Sequence, residues 1–165
     1  MRSNDTGTAG ARDNSGVKFP PPLIFFGLLI LGFIIEFYWP ARILTPAHAV
    51  VARTAGVLIT IAGLVLFASA VGTFRSVGTS VVPMKPTTAL ALSGPYRFTR
   101  NPIYLAMAVV TAGIALLANA LWPLMMTPIL MVLLTYTAIL HEERYLAMKF
   151  GEPYTTYMSR VRRWM

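Results

Sequence analysis

Four long apolar runs divide the chain, and polar segments separate them. The runs extend from Pro20 to Trp39, Thr54 to Phe74, Pro102 to Ala120 and Leu121 to Leu140. The first contains one charged residue, Glu36, and the other three contain none. Each run has about the 20 residues that a helix needs to cross a hydrocarbon core of about 30 Å. The pattern therefore predicts an all-α polytopic membrane protein with four transmembrane helices.

The third and fourth runs follow one another almost directly. Asn119, Trp122 and Pro123 mark the break between them, and proline suits the first turn of a helix because no hydrogen bond is lost there. Trp39 and Trp122 are typical of the aromatic belt at a membrane interface. We therefore expect the last two spans to form a tight helical hairpin.

The composition supports a membrane protein. Of the 165 residues, 56% are hydrophobic and only 12% are charged, and the mean hydropathy is +0.63. In soluble domains about a quarter of all residues are charged. The low charged fraction therefore excludes disordered chains, coiled coils and most soluble folds. Cysteine is absent, which excludes disulfides, thiolate metal sites and a cysteine nucleophile.

The basic residues predict the orientation. With both termini in the cytoplasm, only Arg42 and Arg53 of the 14 Lys and Arg residues lie outside, as the positive-inside rule requires. We expect an integral protein of a bacterial inner membrane, with lipids and no nucleic acid as partners. Residues 1–16 are polar and are expected to form a disordered tail. Residues 17–165 are expected to form one membrane domain.

Two polar segments, residues 75–101 and 141–165, are candidates for function. Both fall on the predicted cytoplasmic face, so they can form one site. The first is a long proline-containing loop, and such loops are functional or disordered. At its end, Asn101 suits a helix cap and Pro102 the first helical position. Arg97 and Arg100 beside this helix start indicate an anion-binding corner, or equally a capped helix with arginines that reach lipid headgroups.

The second segment begins with two adjacent acids, Glu142 and Glu143. Neither has a Lys or Arg three or four residues away, so pairing along the helix does not explain them. Their expected partners are Arg97, Arg100 or a cationic ligand, and the alternative is a solvated pair outside the membrane.

A short helix is expected after Gly151, which ends one helix, and Pro153, which begins another. Its apolar and basic side chains predict an amphipathic helix on the membrane, either a simple anchor or a lid with tyrosines against a ligand. These side chains are Tyr154, Tyr157, Arg160, Val161, Arg162, Arg163 and Trp164.

The two segments together resemble the isoprenylcysteine carboxyl methyltransferase family, which groups with phospholipid N-methyltransferases. The resemblance covers about residues 54–165. It rests on Gly94-Pro95-Tyr96-Arg97, on Arg100-Asn101-Pro102-x-Tyr104, and on the series Glu142-Glu143, Phe150-Gly151, Tyr154, Tyr157 and Val161.

The resemblance implies a membrane methyltransferase with S-adenosylmethionine at the cytoplasmic face and a lipophilic substrate from the bilayer. Many relatives have His at the position of Asn101, and Asn is neither an acid nor a base near neutral pH. The residues carried over as cofactor-binding are Tyr96, Arg97, Arg100, Asn101, Pro102, Tyr104, Glu142, Glu143, Tyr154 and Tyr157.

These residue types suit the chemistry of that cofactor. Its carboxylate suits an arginine or a helix N-terminus, its ammonium and ribose suit Glu142 or Glu143, and its adenine suits a tyrosine face. Arg160 and Arg163 are candidate catalytic residues that would hold a substrate carboxylate. No strong base is evident in the loop, which favours a carboxylate or thiol acceptor over an amine that must first lose a proton.

Other functions are left open: phospholipid amine N-methylation, an NADPH-dependent enzyme similar to sterol reductases, and a non-catalytic assembly subunit. No metal is expected, because His141-Glu142-x-x-Tyr145 lacks the second histidine of a zinc helix. Glu36 is expected to reach the headgroups, with a proton-relay role as the alternative. Gly56, Gly63 and Ala70 recur every seven residues and predict a close-packing helix face.

Overall fold

A computed structural model gives the fold of the protein and describes residues 15–17, 19–79 and 86–165. The predicted disordered tail, residues 1–16, lies outside the described residues except for Ser15 and Gly16. Part of the predicted functional loop, residues 80–85, also lies outside them. In the described ranges the regular elements are helices, and the only strand-like feature is an isolated bridge between Arg42 and Ala120. The predicted all-α fold is confirmed.

The described ranges contain six α-helices, which carry the labels α1 to α6 in chain order. They are α1 (Pro21–Tyr38), α2 (Ala49–Ser76), α3 (Pro102–Ala118), α4 (Leu121–Leu134), α5 (Leu140–Phe150) and α6 (Glu152–Arg160). Short 3-10 turns, Pro46–His48 and Gly94–Arg97, lie ahead of α2 and α3.

Three helices are long and apolar enough to cross a membrane. They are Pro21–Tyr38, Pro46–Ser76 and Leu121–Phe150, and α3 is a shorter apolar helix of 17 residues. Large apolar side chains such as Phe26, Leu58 and Val65 are exposed on the outer faces, where lipid rather than water suits them. These helices are therefore consistent with an integral membrane protein. The count of four spans and the hairpin stay predictions.

The last apolar helix extends beyond the predicted fourth span, which ends at Leu140. A π-helical turn, Thr135–Ile139, joins α4 to α5, so the chain is helical from Leu121 to Phe150. The sequence changes from apolar to polar at Leu140 without a helix breaker, and polarity alone does not end a helix. Gly151 ends it and α6 begins with Glu152 and Pro153, as the sequence predicts.

The helices pack in an order that differs from the chain order. α1 packs mainly on α4, α2 packs mainly on α3, and α3 and α4 pack on each other. The spatial order is therefore α1, α4, α3, α2. Asn119 and Ala120 alone connect α3 to α4, and Asn119 adopts a left-handed conformation with φ of 51°.

The contact between α2 and α3 confirms the predicted small-residue face. A Cβ atom on Gly56 would lie 2.2 Å from Leu117 N, and one on Gly63 would lie 2.7 Å from Val110 Cγ2. Ala70, the third member, is completely buried. The absence of side chains at the two glycines therefore lets the helix backbones approach closely.

The end of the helices opposite the cavity described below is held by hydrogen bonds to backbone groups. Glu36 accepts them from the amides of Ala41 (2.8 Å) and Trp122 (3.3 Å). The Asn119 side chain accepts one from Leu44 N and donates one to Leu44 O, both at 2.9 Å. The Glu36 carboxylate therefore binds the amide of Ala41 and a free amide at the start of α4, and its expected reach to the headgroups stays a prediction.

Candidate functional site

A cavity of about 340 Å³ lies where α3 begins and α5 and α6 meet. Its volume falls within the range of about 300–1,000 Å³ that is usual for small-molecule sites. The start of α1, the second half of α2 and the loop at Thr87–Leu92 complete its walls. The cavity therefore draws on both segments that the sequence singles out.

Most of the predicted site residues line this cavity. The eight that do so are Tyr96, Arg100, Asn101, Tyr104, Glu142, Glu143, Tyr154 and Tyr157. Arg97 and Arg160 are exposed, and Pro102 is buried at the start of α3 outside the lining. The binding and catalytic roles of all these residues stay predictions.

The cavity has a polar and an apolar part. The polar part contains the arginine, the two carboxylates and the tyrosines named above. The apolar part is formed by side chains that line the cavity from α1, α2 and α3, including Pro21, Phe67, Phe74 and Met107. One cavity thus presents charged groups and a lipophilic wall to whatever occupies it.

Glu143 is buried and is paired with Arg100. Glu143 is 6% exposed, and its Oε1 lies 3.2 Å from Arg100 Nη1. The sequence predicts Arg97, Arg100 or a cationic ligand as the partner, and the side chain of Arg97 is exposed. In the Gly94–Arg97 turn Tyr96 is the buried residue, which directs its neighbour Arg97 away from the cavity.

Arg163 is a second partner of Glu143. Its Nε and Nη2 donate hydrogen bonds of 3.0 and 2.7 Å to the two carboxylate oxygens. These bonds raise the pKa of Arg163 above its ordinary value, although partial burial opposes the change. The guanidinium predicted to hold a substrate carboxylate is therefore occupied by a carboxylate of the chain itself.

Glu142 has a different environment from its neighbour. Its Oε1 accepts a hydrogen bond from the Tyr104 hydroxyl, and both residues line the cavity. Within the described ranges no Lys or Arg side chain forms an ion pair with Glu142. Glu143 is thus neutralised by two arginines, whereas Glu142 accepts a hydrogen bond from a tyrosine hydroxyl.

Three tyrosines close the polar part of the cavity. Tyr96 is 5% exposed and packs edge-on against Phe74, with ring centroids 5.1 Å apart. The rings of Tyr154 and Tyr157 lie 6.0 Å apart on α6. Burial raises the pKa of Tyr96 and Tyr154 well above the ordinary value and that of Tyr157 to about 12. All three hydroxyls therefore remain protonated near neutral pH.

Asn101 does not cap α3 with its side chain, contrary to the prediction. The helix begins at Pro102 as expected, and Asn101 O accepts the hydrogen bond from Leu105 N (2.9 Å). The side-chain amide instead donates to Arg163 O at 3.0 Å. The side-chain nitrogen of Asn101 thus binds a carbonyl from a distant part of the chain, whereas a local cap would use its side-chain oxygen as an acceptor.

The sequence missed Tyr145, which also lines the cavity. Its hydroxyl accepts hydrogen bonds from Thr87 N (3.2 Å) and Lys149 Nζ (3.0 Å), so it ties the loop to α5. Its position three residues after Glu142 on a helix was the available signal. The apolar lining residues Phe67 and Met107 carry no signal that separates them from ordinary core positions.

Residues 51–153 match the family model of phospholipid methyltransferase. The chain belongs to this family. A search of the curated proteins and a search of the solved structures gave no match. Membership of the phospholipid methyltransferase family implies membrane methyltransferase activity, for which such families generally use S-adenosylmethionine. The match includes the cavity residues from Tyr96 to Glu143 and ends just before Tyr154.

The residues that line the cavity fit that cofactor. Arg100 lines the cavity, and its buried Nε has no hydrogen-bond partner among the described residues, so the site holds an unsatisfied donor. A carboxylate is the usual partner of such a group. Glu142 offers an acceptor for an ammonium or a hydroxyl. No group of three or more metal-ligating side chains occurs among the residues that the structure describes.

Proposed function

We propose that the cavity binds S-adenosylmethionine and that the chain transfers its methyl group to a lipophilic acceptor from the bilayer. The observation that carries the proposal is the meeting of Arg100, Glu142 and Tyr157 in one cavity that also has an apolar wall. These residues come from segments that lie far apart in the chain. Family membership supplies the reaction class.

Each polar residue has a role in this proposal. Arg100 holds the carboxylate of the cofactor, and Glu142, kept in place by Tyr104, accepts hydrogen bonds from its ammonium or ribose hydroxyls. The tyrosines that line the cavity pack against its adenine. When bound, the cofactor supplies a methyl carbon that is activated by the sulfonium. The chain then has to orient the acceptor against that carbon and exclude water.

The apolar wall favours a lipophilic acceptor. Pro21 at the start of α1 and Phe67 on α2 line the cavity from opposite sides, and Met107 on α3 lies between these helices. We infer that the acceptor enters from the bilayer along this apolar wall. The acceptor is a molecule with a long apolar part, such as an isoprenylcysteine-like carboxylate or another small lipophilic molecule.

A phospholipid amine is the second candidate acceptor. Glu142 favours it, because a carboxylate without a basic partner in the described ranges suits an ammonium group that must lose a proton. We infer the orientation from the basic residues: both termini and the cavity lie on the cytoplasmic side of a bacterial inner membrane. Incubation with radiolabelled cofactor and either phosphatidylethanolamine or N-acetyl-farnesylcysteine separates the two acceptor classes by the labelled product.

Cofactor binding is tested by isothermal titration of S-adenosylhomocysteine into the protein in lipid nanodiscs, with NADPH in a parallel titration. Binding of S-adenosylhomocysteine in the micromolar range is expected, together with its loss in Arg100→Met and Glu142→Gln. Arg144→Met is the matched control, since Arg144 is exposed on α5. Binding of NADPH instead would support a reductase. A folded parent protein that binds neither would overturn the proposal and favour an assembly subunit.

A further inference from the structure

Two arginines from distant parts of the chain share one buried carboxylate. Arg100 precedes α3 and Arg163 follows α6, and both contact Glu143 on α5. Arg163 makes the stronger contact, because its planar group meets both oxygens, whereas Arg100 lies 3.2 Å from one. Arg163 is 35% exposed and Arg100 is 10% exposed in their side chains. Glu143 therefore links the residue that lines the cavity to one that does not.

The main chain around Arg163 makes further contacts with the same wall. Residues 161–165 form an irregular segment, here called the C-terminal strap. Arg162 O accepts a hydrogen bond of 3.0 Å from Arg100 N. Arg163 O accepts from Thr99 Oγ1 and Asn101 Nδ2, each at 3.0 Å. The strap therefore satisfies polar groups of three consecutive residues, two of which line the cavity.

An apolar contact holds the same strap from the other side. Trp164 packs against a buried cluster that contains Tyr104, Leu130 and Leu134. Tyr104 is the residue whose hydroxyl binds Glu142. The C-terminal strap thus contacts Glu143 directly and packs on the cluster that holds the partner of Glu142, although the family match ends at residue 153.

We propose that Arg163 is a positioning residue, which acts through Glu143 to hold Arg100 in the cavity wall and the C-terminal strap against the outside of that wall. The proposal rests on the proposed cofactor site and adds to it a part of the chain beyond the family match. Without Arg163 the strap loses its charged contact, and Arg100 loses the carboxylate orientation and the carbonyl oxygen that fix it. A ligand carboxylate then meets a mobile guanidinium instead of a fixed one.

The first measurement needs no ligand. Hydrogen–deuterium exchange of the protein in nanodiscs reports on the amide of Arg100 through a peptide that covers residues 97–101. In Arg163→Met this amide exchanges at least about tenfold faster than in the parent. The reason is that losing a hydrogen bond between charged groups changes a local opening equilibrium by about tenfold or more. Arg163→Lys gives an intermediate rate, since an ammonium keeps the charge but not the two-point contact. Arg144→Met exchanges like the parent.

The second measurement is the dissociation constant of S-adenosylhomocysteine for the same variants. Arg163→Met weakens binding about tenfold or more, and Arg163→Lys restores part of the loss. The melting temperature of each variant shows that the helices remain folded, and Arg163→Lys carries the test if Arg163→Met does not fold.

The outcomes separate the two proposals. Unchanged exchange in Arg163→Met overturns the positioning role, and so does faster exchange with unchanged binding. If the folded parent binds no S-adenosylhomocysteine, the proposed function fails, while the exchange of the Arg100 amide still decides whether Arg163 holds the strap.

Discussion

The hydroxyl of Tyr157 donates a hydrogen bond of 2.7 Å to the main-chain carbonyl of Tyr96. It joins α6 to the turn that precedes α3 and thereby closes one side of the cavity. Tyr157→Phe removes this bond alone, so we expect a loss of about 1 kcal/mol in the free energy of unfolding. Thermal melting in detergent measures it. Tyr38→Phe is the control, because Tyr38 is 67% exposed at the other end of α1.

The same residue predicts a pH dependence. Burial raises the pKa of Tyr157 to about 12, above the value of about 10 in an unfolded chain. Its stabilising contribution is therefore complete below pH 10 and is lost as the pH rises toward 12. Absorbance of tyrosinate at alkaline pH measures the ionisation. A parent and a Tyr157→Phe variant with identical titration curves near pH 12 would contradict the assignment.

The two adjacent acids are expected to respond differently to neutral replacement. Glu143→Gln leaves Arg100 and Arg163 without their shared carboxylate, so the stability falls by about 3 kcal/mol. Glu142→Gln keeps an oxygen for the Tyr104 hydroxyl and removes no described ion pair, so the change stays below about 1 kcal/mol. Chemical denaturation in mixed micelles compares them. Equal losses would show that the two carboxylates share one environment.

The close approach of α2 and α3 predicts contrasting effects of two glycine substitutions. Gly56→Ala places a methyl group 2.2 Å from Leu117 N, so helix separation costs about 1–3 kcal/mol. Gly72→Ala on the same helix meets no atom within 4 Å and is neutral or stabilises by up to about 1 kcal/mol. Melting temperatures of the two variants test this. A Gly56→Ala protein as stable as the Gly72→Ala protein would contradict the packing of these helices.

Asn119 combines a left-handed backbone with two hydrogen bonds to Leu44. Asn119→Ala loses both bonds and strains the backbone, so a loss of about 2–3 kcal/mol is expected. Asn119→Gly loses the bonds but adopts the conformation freely, so it retains part of the stability that Asn119→Ala loses. The order parent, glycine variant, alanine variant in unfolding free energy is the result to look for, and any other order speaks against this account.

The helices were predictable because their signals are local. The apolar runs, the start at Pro102, the stop at Gly151 and the small face of Gly56 and Gly63 follow from periodicity, proline and glycine. The π-helical turn inside the last apolar helix was not predictable in this way. This turn, Thr135–Ile139, depends on tertiary packing, since Ala138 and Ile139 are fully buried.

The partners inside the site were only partly predictable. The absence of a local partner correctly indicated a distant one for Glu143, but the sequence does not decide between Arg97 and Arg100, which lie three residues apart. Arg163 was expected to face a substrate, since nothing local indicates that it returns to Glu143. Asn101 shows the same limit, because its cap geometry is local and its actual acceptor, Arg163 O, is not.

The spatial order of the helices constrains how the protein is assembled. α1 and α2 are synthesised first, yet each packs on a partner from later in the chain, and they share no extensive contact in the described ranges. During translation the first half of the chain therefore cannot form a packed core by itself. The apolar faces of α1 and α2 stay exposed to lipid until α3 and α4 insert between these two helices. Maturation is thus a late, non-local step whose contacts have large sequence separation, which is typical of slow folding.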